Sequence, residues 1–350
     1  MRVLMTGFTT MQVGRPGLYQ MATFANLLPE ALRRAGHEVD QRAVDPGEPL
    51  GGYDAVLVGV IGPNKIGASH RYGALDTIGR ARREVGALGF YLDDWNVREI
   101  AHDVDYLRRD PQRLVKPMLA GKPGYAWALA HLDELLRVLD ALAHRPWPVT
   151  LVPKFDWGGG ALLVDHVRGL TPERAVFLDP GALAVERLGQ LAVPAPREWR
   201  DRVWVSAALA EPTRFLDQQV PSWPVERYGA RARKIKEAEV VARYGEVGGC
   251  VVLPYPHAGS GWWRNRFDFA SERGTLLLCD PRETADLAPG FAQKARFFEG
   301  MSSQERQVWA DYQRDCLRSR RWPLDQLVSE ADAALRRVVE GGPAPGVPGA

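Results

Sequence analysis

The sequence is short of the residues and segments that mark several classes of protein. It has only three cysteines among 350 residues, Cys250, Cys279 and Cys316, and no two of them show the C-x-x-C spacing of a zinc site or redox motif. The apolar run at residues 55–61 is far shorter than the roughly 20 residues that a membrane-spanning helix needs. The amino terminus leads straight into a predicted strand instead of a signal peptide. We therefore expect a soluble, cytoplasmic protein without disulfides, zinc or membrane contact.

Lysine is scarce as well. It supplies seven of the 45 basic residues and arginine the other 38, a bias that a GC-rich coding sequence explains most simply. With 43 acidic residues the formal net charge is only +2, which argues against a protein that coats nucleic acid but allows a local basic patch. Because the guanidinium group can donate two parallel hydrogen bonds to a phosphate, the excess of arginine is compatible with phosphate ligands.

Several catalytic motifs are absent from the sequence. It contains no G-x-S-x-G, no H-E-x-x-H and no Walker loop, so hydrolase, zinc-protease and P-loop interpretations lose their main support. The first glycine-containing loop, residues 6–17, has Gly7, Gly14 and Gly17, whose spacing fails the dinucleotide fingerprint G-x-G-x-x-G. An NAD enzyme is therefore not expected.

Short apolar runs alternate with amphipathic stretches along most of the chain. Helical spacing predicts a helix that starts near Tyr19 and is closed by Gly36, with Pro29 expected to kink or split it. Ser302 and Glu305 predict a capping box at the start of a later helix. Strands are predicted at residues 2–5, 37–44, 53–61, 87–92, 149–152, 175–178, 203–206, 225–228, 250–254 and 275–279, and a mostly helical stretch at 103–144.

This alternation predicts the α/β class, with two doubly wound, Rossmann-like domains that face a central cleft. We assign residues 1–195 to the first domain and 196–322 to the second, after a proline-rich linker. A carboxyl-terminal helix is predicted at 323–340, and the glycine- and proline-rich tail at 341–350 is expected to be disordered. In such folds ligands bind at the carboxyl ends of the strands.

A basic segment opens one predicted helix of the second domain. Arg264 and Arg266 follow a glycine-containing loop and can donate to a diphosphate at the helix amino terminus, where the backbone N–H groups already favour anions. Asp268 or Glu272 can accept hydrogen bonds from ribose hydroxyls. A solvated, charged helix is the alternative interpretation of the same residues.

The segment continues as Ala-Ser-x-x-Gly-Thr-Leu-Leu-Leu-Cys-Asp over residues 270–280. With the preceding arginines and acids it resembles the donor-binding segment of GT-B glycosyltransferases, above all the bacteriophage DNA glycosyltransferases that modify 5-hydroxymethylpyrimidines. The resemblance extends in element order over residues 1–339. It implies a nucleotide-sugar donor, with UDP-glucose the first candidate, and double-stranded DNA with hydroxymethylated cytosine or uracil as acceptor. It also implies that no metal is obligatory, although a divalent cation is allowed. We expect a monomer.

A pair of carboxylates, Asp93 and Asp94, follows the predicted strand at 87–92. A carboxylate just past the carboxyl end of a parallel strand is placed to face the cleft. In the family that the sequence resembles, an aspartate after the corresponding strand is the general base, and the comparison places it on Asp94, with Asp93 adjacent. A helix N-cap or a turn is the alternative role.

Four further residues are candidates for donor binding. The resemblance implies that the loop containing Gly14 faces the donor sugar and that Arg214 binds the diphosphate. Arg231 opens a basic run at 231–236, which is otherwise a solvated helix face, and His257 lies on the polar loop before Arg264.

The loop after the third predicted strand is polar and basic, and it is the candidate for DNA contacts. Its Asn64, Lys65, His70 and Arg71, helped by Arg80, Arg82 and Arg83 on the next helix, can bind acceptor phosphates. An ordinary strand-to-helix loop is the alternative.

The expected reaction is a single displacement at the anomeric carbon, with inversion of configuration. Two other functions fit the same fold, since fold alone does not determine function. One is a GT-B transferase that acts on a small molecule, lipid or glycan. The other is a two-domain sugar- or nucleotide-binding protein, which would bind its ligand without turnover.

Overall fold

The structure is a computed structural model of the 350-residue chain. It describes residues 1–7, 24–42, 44, 47–60, 74–92, 147–153, 170–190, 203–206, 225–228, 244–251, 265–279, 284, 287–288, 290–292, 298 and 300–341. The strands of these ranges are β1 (Arg2–Gly7), β2 (Glu38–Gln41), β3 (Ala55–Val60), β4 (Leu88–Leu92), β5 (Thr150–Pro153), β6 (Ala175–Leu178), β7 (Val203–Ser206), β8 (Val225–Tyr228), β9 (Gly249–Val251) and β10 (Leu276–Leu278). The α-helices are α1 (Phe24–Arg34), α2 (Ala74–Arg80), α3 (Gly181–Gln190), α4 (Asn265–Glu272), α5 (Ser303–Arg320) and α6 (Leu324–Glu340).

The first sheet has six parallel strands in the order β2-β1-β3-β4-β5-β6. The strand order reverses direction between β1 and β3, which creates a topological switch point at the carboxyl ends of these two strands. On one face of this sheet, α1 and α6 pack over Met5, Leu57 and Tyr91, all of which are buried. The sequence prediction of an α/β protein with parallel sheets is confirmed.

The second sheet has four parallel strands in the order β10-β9-β7-β8. It repeats the pattern of the first sheet, because its own first and third strands, β7 and β9, are neighbours at the switch point. The predicted strands at 175–178, 203–206 and 225–228 agree with the structure residue for residue. These strands could be predicted because each is a short run that directly follows a proline or an arginine.

Helix α1 continues through Pro29, so the predicted split into two helices is wrong for Phe24–Arg34. Proline has no N–H to donate to the carbonyl four residues earlier, and that carbonyl belongs to Ala25. The side-chain amide of Gln41, on β2, donates to it instead at 2.8 Å. A partner from a neighbouring strand thus satisfies the group that the proline leaves open.

The end of α1 agrees with its sequence signal. Gly36 has φ +86°, its N–H donates to the carbonyl of Arg33 at 2.9 Å, and the N–H of His37 donates to that of Leu32 at 3.1 Å. These two bonds form a Schellman motif, in which glycine is favoured because a side chain would strain the left-handed backbone. Gly36 is therefore the helix terminator that the sequence predicts.

The last two helices belong to different sheets. Helix α5 begins with the predicted capping box between Ser302 and Glu305, and its buried Gln313 contacts the edge strand β10. Helix α6 packs against α1 and the first sheet, through a buried stripe that includes Leu327, Ala331 and Leu335. The chain therefore returns to the first sheet in the short turn between α5 and α6.

Three predictions fall outside the described residues. These are the helical stretch at 103–144, the linker before β7 and the tail beyond residue 341, so the division into domains at 195/196 stays a prediction. In the part of the chain that the structure describes, no helix is both long and apolar enough to cross a membrane.

Candidate functional site

Three strands of the first sheet end side by side at its carboxyl edge. In β1, β3 and β4, Gly7 lies opposite Gly59, and Val60 opposite Leu92. The segments that continue from these strand ends contain, in chain order, Gly14, then Asn64, Lys65, His70 and Arg71, and then Asp93 and Asp94. These side chains lie outside the described residues, and their roles stay predictions. The structure shows that the segments containing them begin at neighbouring strand ends, at one switch point. Doubly wound folds bind ligands at such a point.

The side chain of Tyr91 contacts the ends of all three strands. Its side chain is buried with 1% exposure, and its hydroxyl donates to the carbonyl of Thr6, at 3.5 Å. The ring crosses Gly59, where an added Cβ would lie 2.5 Å from the Cζ and Oη atoms of Tyr91. The sequence did not lead us to predict this contact, although a glycine inside an apolar strand is a signal for close approach by another group.

The first sheet has a second polar contact at its carboxyl edge. Asp179 follows β6 and is 4% exposed. One of its oxygens accepts from the backbone N–H of Gly181 at the start of α3, at 2.8 Å, and the other accepts from the N–H of Trp322, at 3.0 Å. Asp179 therefore caps α3 and also binds the turn between α5 and α6.

The second sheet presents a matching edge. Strands β7 and β9 end at Ser206 and Val251, and the chain that follows them contains Arg214 and then His257 and Arg264. Arg231 comes shortly after β8. These four residues also lie outside the described residues. Three of the four follow β7 or β9, and these two strands are neighbours at the switch point of this sheet. Doubly wound folds bind their ligands at such a switch point.

Helix α4 begins at Asn265, so the backbone of Arg266 lies in its first turn. The backbone N–H groups there have no partner within the helix, and the helix dipole favours an anion. The side chain of Arg266 lies outside the described set, and its role as a diphosphate ligand stays a prediction.

Asp268 and Glu272, the predicted ribose acceptors, form ion pairs with arginines. The guanidinium of Arg321 binds Asp268 Oδ1 and, at 2.7 Å, Glu272 Oε1, and Arg318 binds Glu272 Oε2 at 2.7 Å. Burial alone would raise the pKa of Glu272, but the hydrogen bonds from Arg318 and Arg321 outweigh it and hold the pKa below its usual value. Their ribose role stays a prediction, and the structure gives both carboxylates protein partners that the sequence did not indicate.

The predicted role of Arg80 in binding acceptor phosphates is wrong. Its side chain is 5% exposed and donates to the backbone carbonyl of Glu48. Arg82 and Arg83 are exposed, but they lie in the π-helical turn Ala81–Val85, just before β4 begins. They are therefore near the amino edge of the sheet, opposite to the edge where Asp93 follows β4.

The described residues contain no group of three His, Cys, Asp or Glu side chains placed to hold a metal ion. The two acids of α4 that lie nearest to the predicted diphosphate ligands are bound to arginine.

Comparisons with known proteins give similarity in structure alone. No protein-family model matches the sequence, and no curated protein does. A structure of T4 phage BGT in complex with its UDP-glucose substrate matches 97% of this chain and 99% of its own, with a TM-score of 0.53 and 11% sequence identity. A mutant of T4 phage BGT with UDP-glucose, and T4 phage BGT with UDP and Mn2+, match over the same shares at 12% identity, with TM-scores of 0.53 and 0.52.

The matches extend over nearly the full length of both chains. The resemblance that the sequence predicts is thus confirmed as a likeness in structure: this chain has the fold of T4 phage BGT.

Proposed function

We propose that the protein is a GT-B glycosyltransferase that transfers a sugar from a nucleotide-sugar donor to the hydroxymethyl group of a modified pyrimidine in DNA. The observation that carries this proposal is the end-to-end likeness, over 97% of this chain, to a phage enzyme whose structure holds UDP-glucose as its substrate. UDP-glucose is therefore the first donor to test.

The arrangement proposed is two doubly wound halves whose carboxyl edges face one cleft. The first half takes the acceptor and the second takes the donor. Support comes from the two switch points, because the chain leaving β1, β3 and β4 contains the predicted base and DNA-binding residues, and the chain leaving β7 and β9 contains the predicted diphosphate ligands.

The chemistry is one displacement. Asp94, or Asp93 beside it, removes the proton of the acceptor hydroxyl, and the oxygen attacks the anomeric carbon from the side opposite to the diphosphate. The bond from that carbon to the diphosphate oxygen breaks, and UDP leaves with the electron pair. Arg214, Arg264, Arg266 and the amino terminus of α4 stabilise the developing negative charge. Attack from the opposite side inverts the anomeric configuration.

DNA as the acceptor requires a local basic surface, because the whole chain carries a net charge of only +2. The loop with Asn64, Lys65, His70 and Arg71 supplies it in this proposal. It follows β3, the strand that lies between β1 and β4, so phosphate contacts would be adjacent to the proposed base.

The test incubates the protein with a panel of nucleotide sugars and with one acceptor at a time. The acceptors are duplex DNA that contains 5-hydroxymethylcytosine, 5-hydroxymethyluracil or unmodified cytosine, the free hydroxymethylated nucleosides, and a glycan. Digestion to nucleosides and mass spectrometry then detect the added hexose. We expect transfer from UDP-glucose to hydroxymethylated DNA and none to unmodified DNA. Transfer only to free nucleosides or glycans would overturn the DNA acceptor. Donor binding without transfer to any acceptor would favour the binding-protein interpretation.

A further inference from the structure

A group of four charged side chains, three of them largely buried, joins α4 to the turn between α5 and α6, and we call it the junction cluster. It consists of Asp268, Glu272, Arg318 and Arg321. The side chains of Asp268, Glu272 and Arg321 are only 13%, 12% and 10% exposed. Arg321 donates to both carboxylates, from Nε to Asp268 Oδ1 at 3.2 Å and from Nη1 to Glu272 Oε1 at 2.7 Å.

The charges of the junction cluster balance, with two carboxylates against two guanidinium groups. Arg321 contacts both acids, whereas Arg318 contacts only Glu272 and is 54% exposed. Removing one member of a buried ion pair leaves a charge without compensation, so Arg321 is the member on which the cluster depends most.

The same turn is bound to the first sheet. The N–H of Trp322, the residue after Arg321, donates to Asp179, which follows β6 and caps α3. The aliphatic part of Arg321 also lies close to Gly181, where an added Cβ would be 3.2 Å from its Cγ and Cδ atoms. Helix α4 itself packs against α3. A continuous path of polar contacts therefore runs from the carboxyl edge of the first sheet to α4.

We propose that Arg321 is a positioning residue that fixes α4 relative to the carboxyl edge of the first sheet. This inference rests on the proposed function, in which the first turn of α4 holds the donor diphosphate and the first sheet holds the acceptor. In this role, Asp268 and Glu272 affect the rate of sugar transfer by holding Arg321 in place. Their alternative role, as direct ligands of the donor ribose, makes different predictions.

Displacement requires the acceptor oxygen and the anomeric carbon to be aligned, and a misplacement of about 1 Å can cost roughly 100-fold in rate. The proposed diphosphate ligands all belong to the same half as α4, so donor binding depends less on where that half lies relative to the first sheet. Loss of Arg321 should thus lower kcat much more than it weakens donor binding.

The first experiment compares Arg321→Gln with Arg336→Gln as its control. Arg336 is 61% exposed, and its ion pair among the described residues is with Asp332 of the same helix. With kcat from nucleoside analysis and donor Kd from calorimetry, we expect Arg321→Gln to lose at least ~10-fold in kcat and to change Kd by less than ~3-fold. Arg321→Lys keeps the positive charge but loses the planar set of donors that binds both carboxylates. Its kcat should therefore lie between those of Arg321→Gln and the wild type. Unchanged kcat, or a loss confined to Kd, would overturn the proposal.

The second experiment is a double-mutant cycle with Glu272→Gln in the wild-type and Arg321→Gln backgrounds. If Glu272 acts through Arg321, its substitution should add little to the loss of kcat once Arg321 is gone. If Glu272 binds ribose, the variant should weaken donor Kd in both backgrounds and the losses should add. The second result would overturn the proposal. Should Arg321→Gln fail to fold, Asp268→Asn takes its place in both experiments.

A third measurement needs no substrate, so it separates this inference from the proposed function. In hydrogen–deuterium exchange, Arg321→Gln should speed exchange at the amides of Trp322 and Gly181 and in α4, whereas Arg336→Gln should not. Unchanged exchange at these amides would overturn the link between the halves. A wild-type protein that transfers no sugar would instead remove the proposed function, and the exchange result would still decide the link.

Discussion

The hydroxyl of Tyr91 reaches across β3 to the carbonyl oxygen of Thr6 on β1, 3.5 Å away. Its path is open because residue 59 is a glycine. One side chain therefore joins the ends of the three strands from which the proposed base, the proposed DNA-binding loop and the first glycine-containing loop continue. A buried hydroxyl needs a hydrogen-bond partner, and this one finds it where it stabilises the carboxyl edge of the sheet.

Substitution of Gly59 tests how closely Tyr91 approaches β3. In Gly59→Ala the new methyl group would meet the tyrosine ring at 2.5 Å, and the ring has no room to move because it is buried. We expect a loss of about 1–3 kcal/mol in the free energy of unfolding, measured with urea. Gly189→Ala is the matched control, since nothing lies within 4 Å of its added Cβ and helix α3 should tolerate or favour alanine. Equal stability of the two variants would contradict the contact.

The hydroxyl of Tyr91 can be tested separately from its ring. Tyr91→Phe keeps the packing across Gly59 and removes the hydrogen bond to Thr6. We expect a loss of about 0.5–1.5 kcal/mol, the usual net contribution of a hydrogen bond. Denaturant titration gives the value. A variant as stable as the wild type would show that this bond contributes nothing measurable.

Signals that are local in the sequence predicted local structure well. Gly36 and the pair Ser302 and Glu305 mark helix ends because each motif lies within a few residues of chain. The continuation of α1 through Pro29 could not be foreseen, since the compensating amide comes from Gln41 on another element.

The same limit applies to the candidate site. The sequence identified Asp268 and Glu272 as notable acids, but their partner Arg321 is 53 and 49 residues away. A pairing over that distance depends on how α4, α5 and α6 pack, so it cannot be predicted from the spacing of residues in the sequence. The prediction for Arg80 failed for a related reason, because the sequence does not distinguish a solvent-exposed basic residue on a helix from one that is buried against a backbone carbonyl.

Gln313 covers the outer edge of β10, and this role can be tested. Its amide accepts from the N–H of Leu277 at 2.8 Å and donates to the carbonyl of the same residue at 2.9 Å and to that of Phe291 at 2.6 Å. Gln313→Leu would leave these buried backbone groups without that partner, so we expect a loss of about 2–4 kcal/mol in guanidinium denaturation. The exposed Gln304→Ala on the same helix should change little. A Gln313→Leu variant no less stable than Gln304→Ala would contradict this role.

The junction cluster predicts a dependence of stability on pH. Because the pKa of Glu272 is lower in the folded protein than its usual 4.5, this group stabilises the fold above that pH. The stabilisation is lost as the pH falls through the lowered folded-state pKa. The stability difference between wild type and Glu272→Gln should therefore be largest near neutral pH and shrink below about pH 4.5. Unfolding curves between pH 3 and pH 7 measure it, and a difference that stays constant would contradict the lowered pKa.

The last prediction concerns the proposed general base, and it separates an enzyme from a binding protein. A hydroxyl is a poor nucleophile, so loss of its base should lower the transfer rate by about 10²–10⁴. We expect this loss in Asp94→Asn and a smaller one in Asp93→Asn, because the family resemblance favours Asp94. Donor affinity by calorimetry should stay close to that of the wild type in both, since the proposed diphosphate ligands belong to the other sheet. Asp315→Asn, at a side chain of α5 that is 72% exposed, is the control for loss of a carboxylate. Near-wild-type rates in both Asp93→Asn and Asp94→Asn would exclude this pair as the base, and normal donor binding without any transfer by the wild type would identify a binding protein.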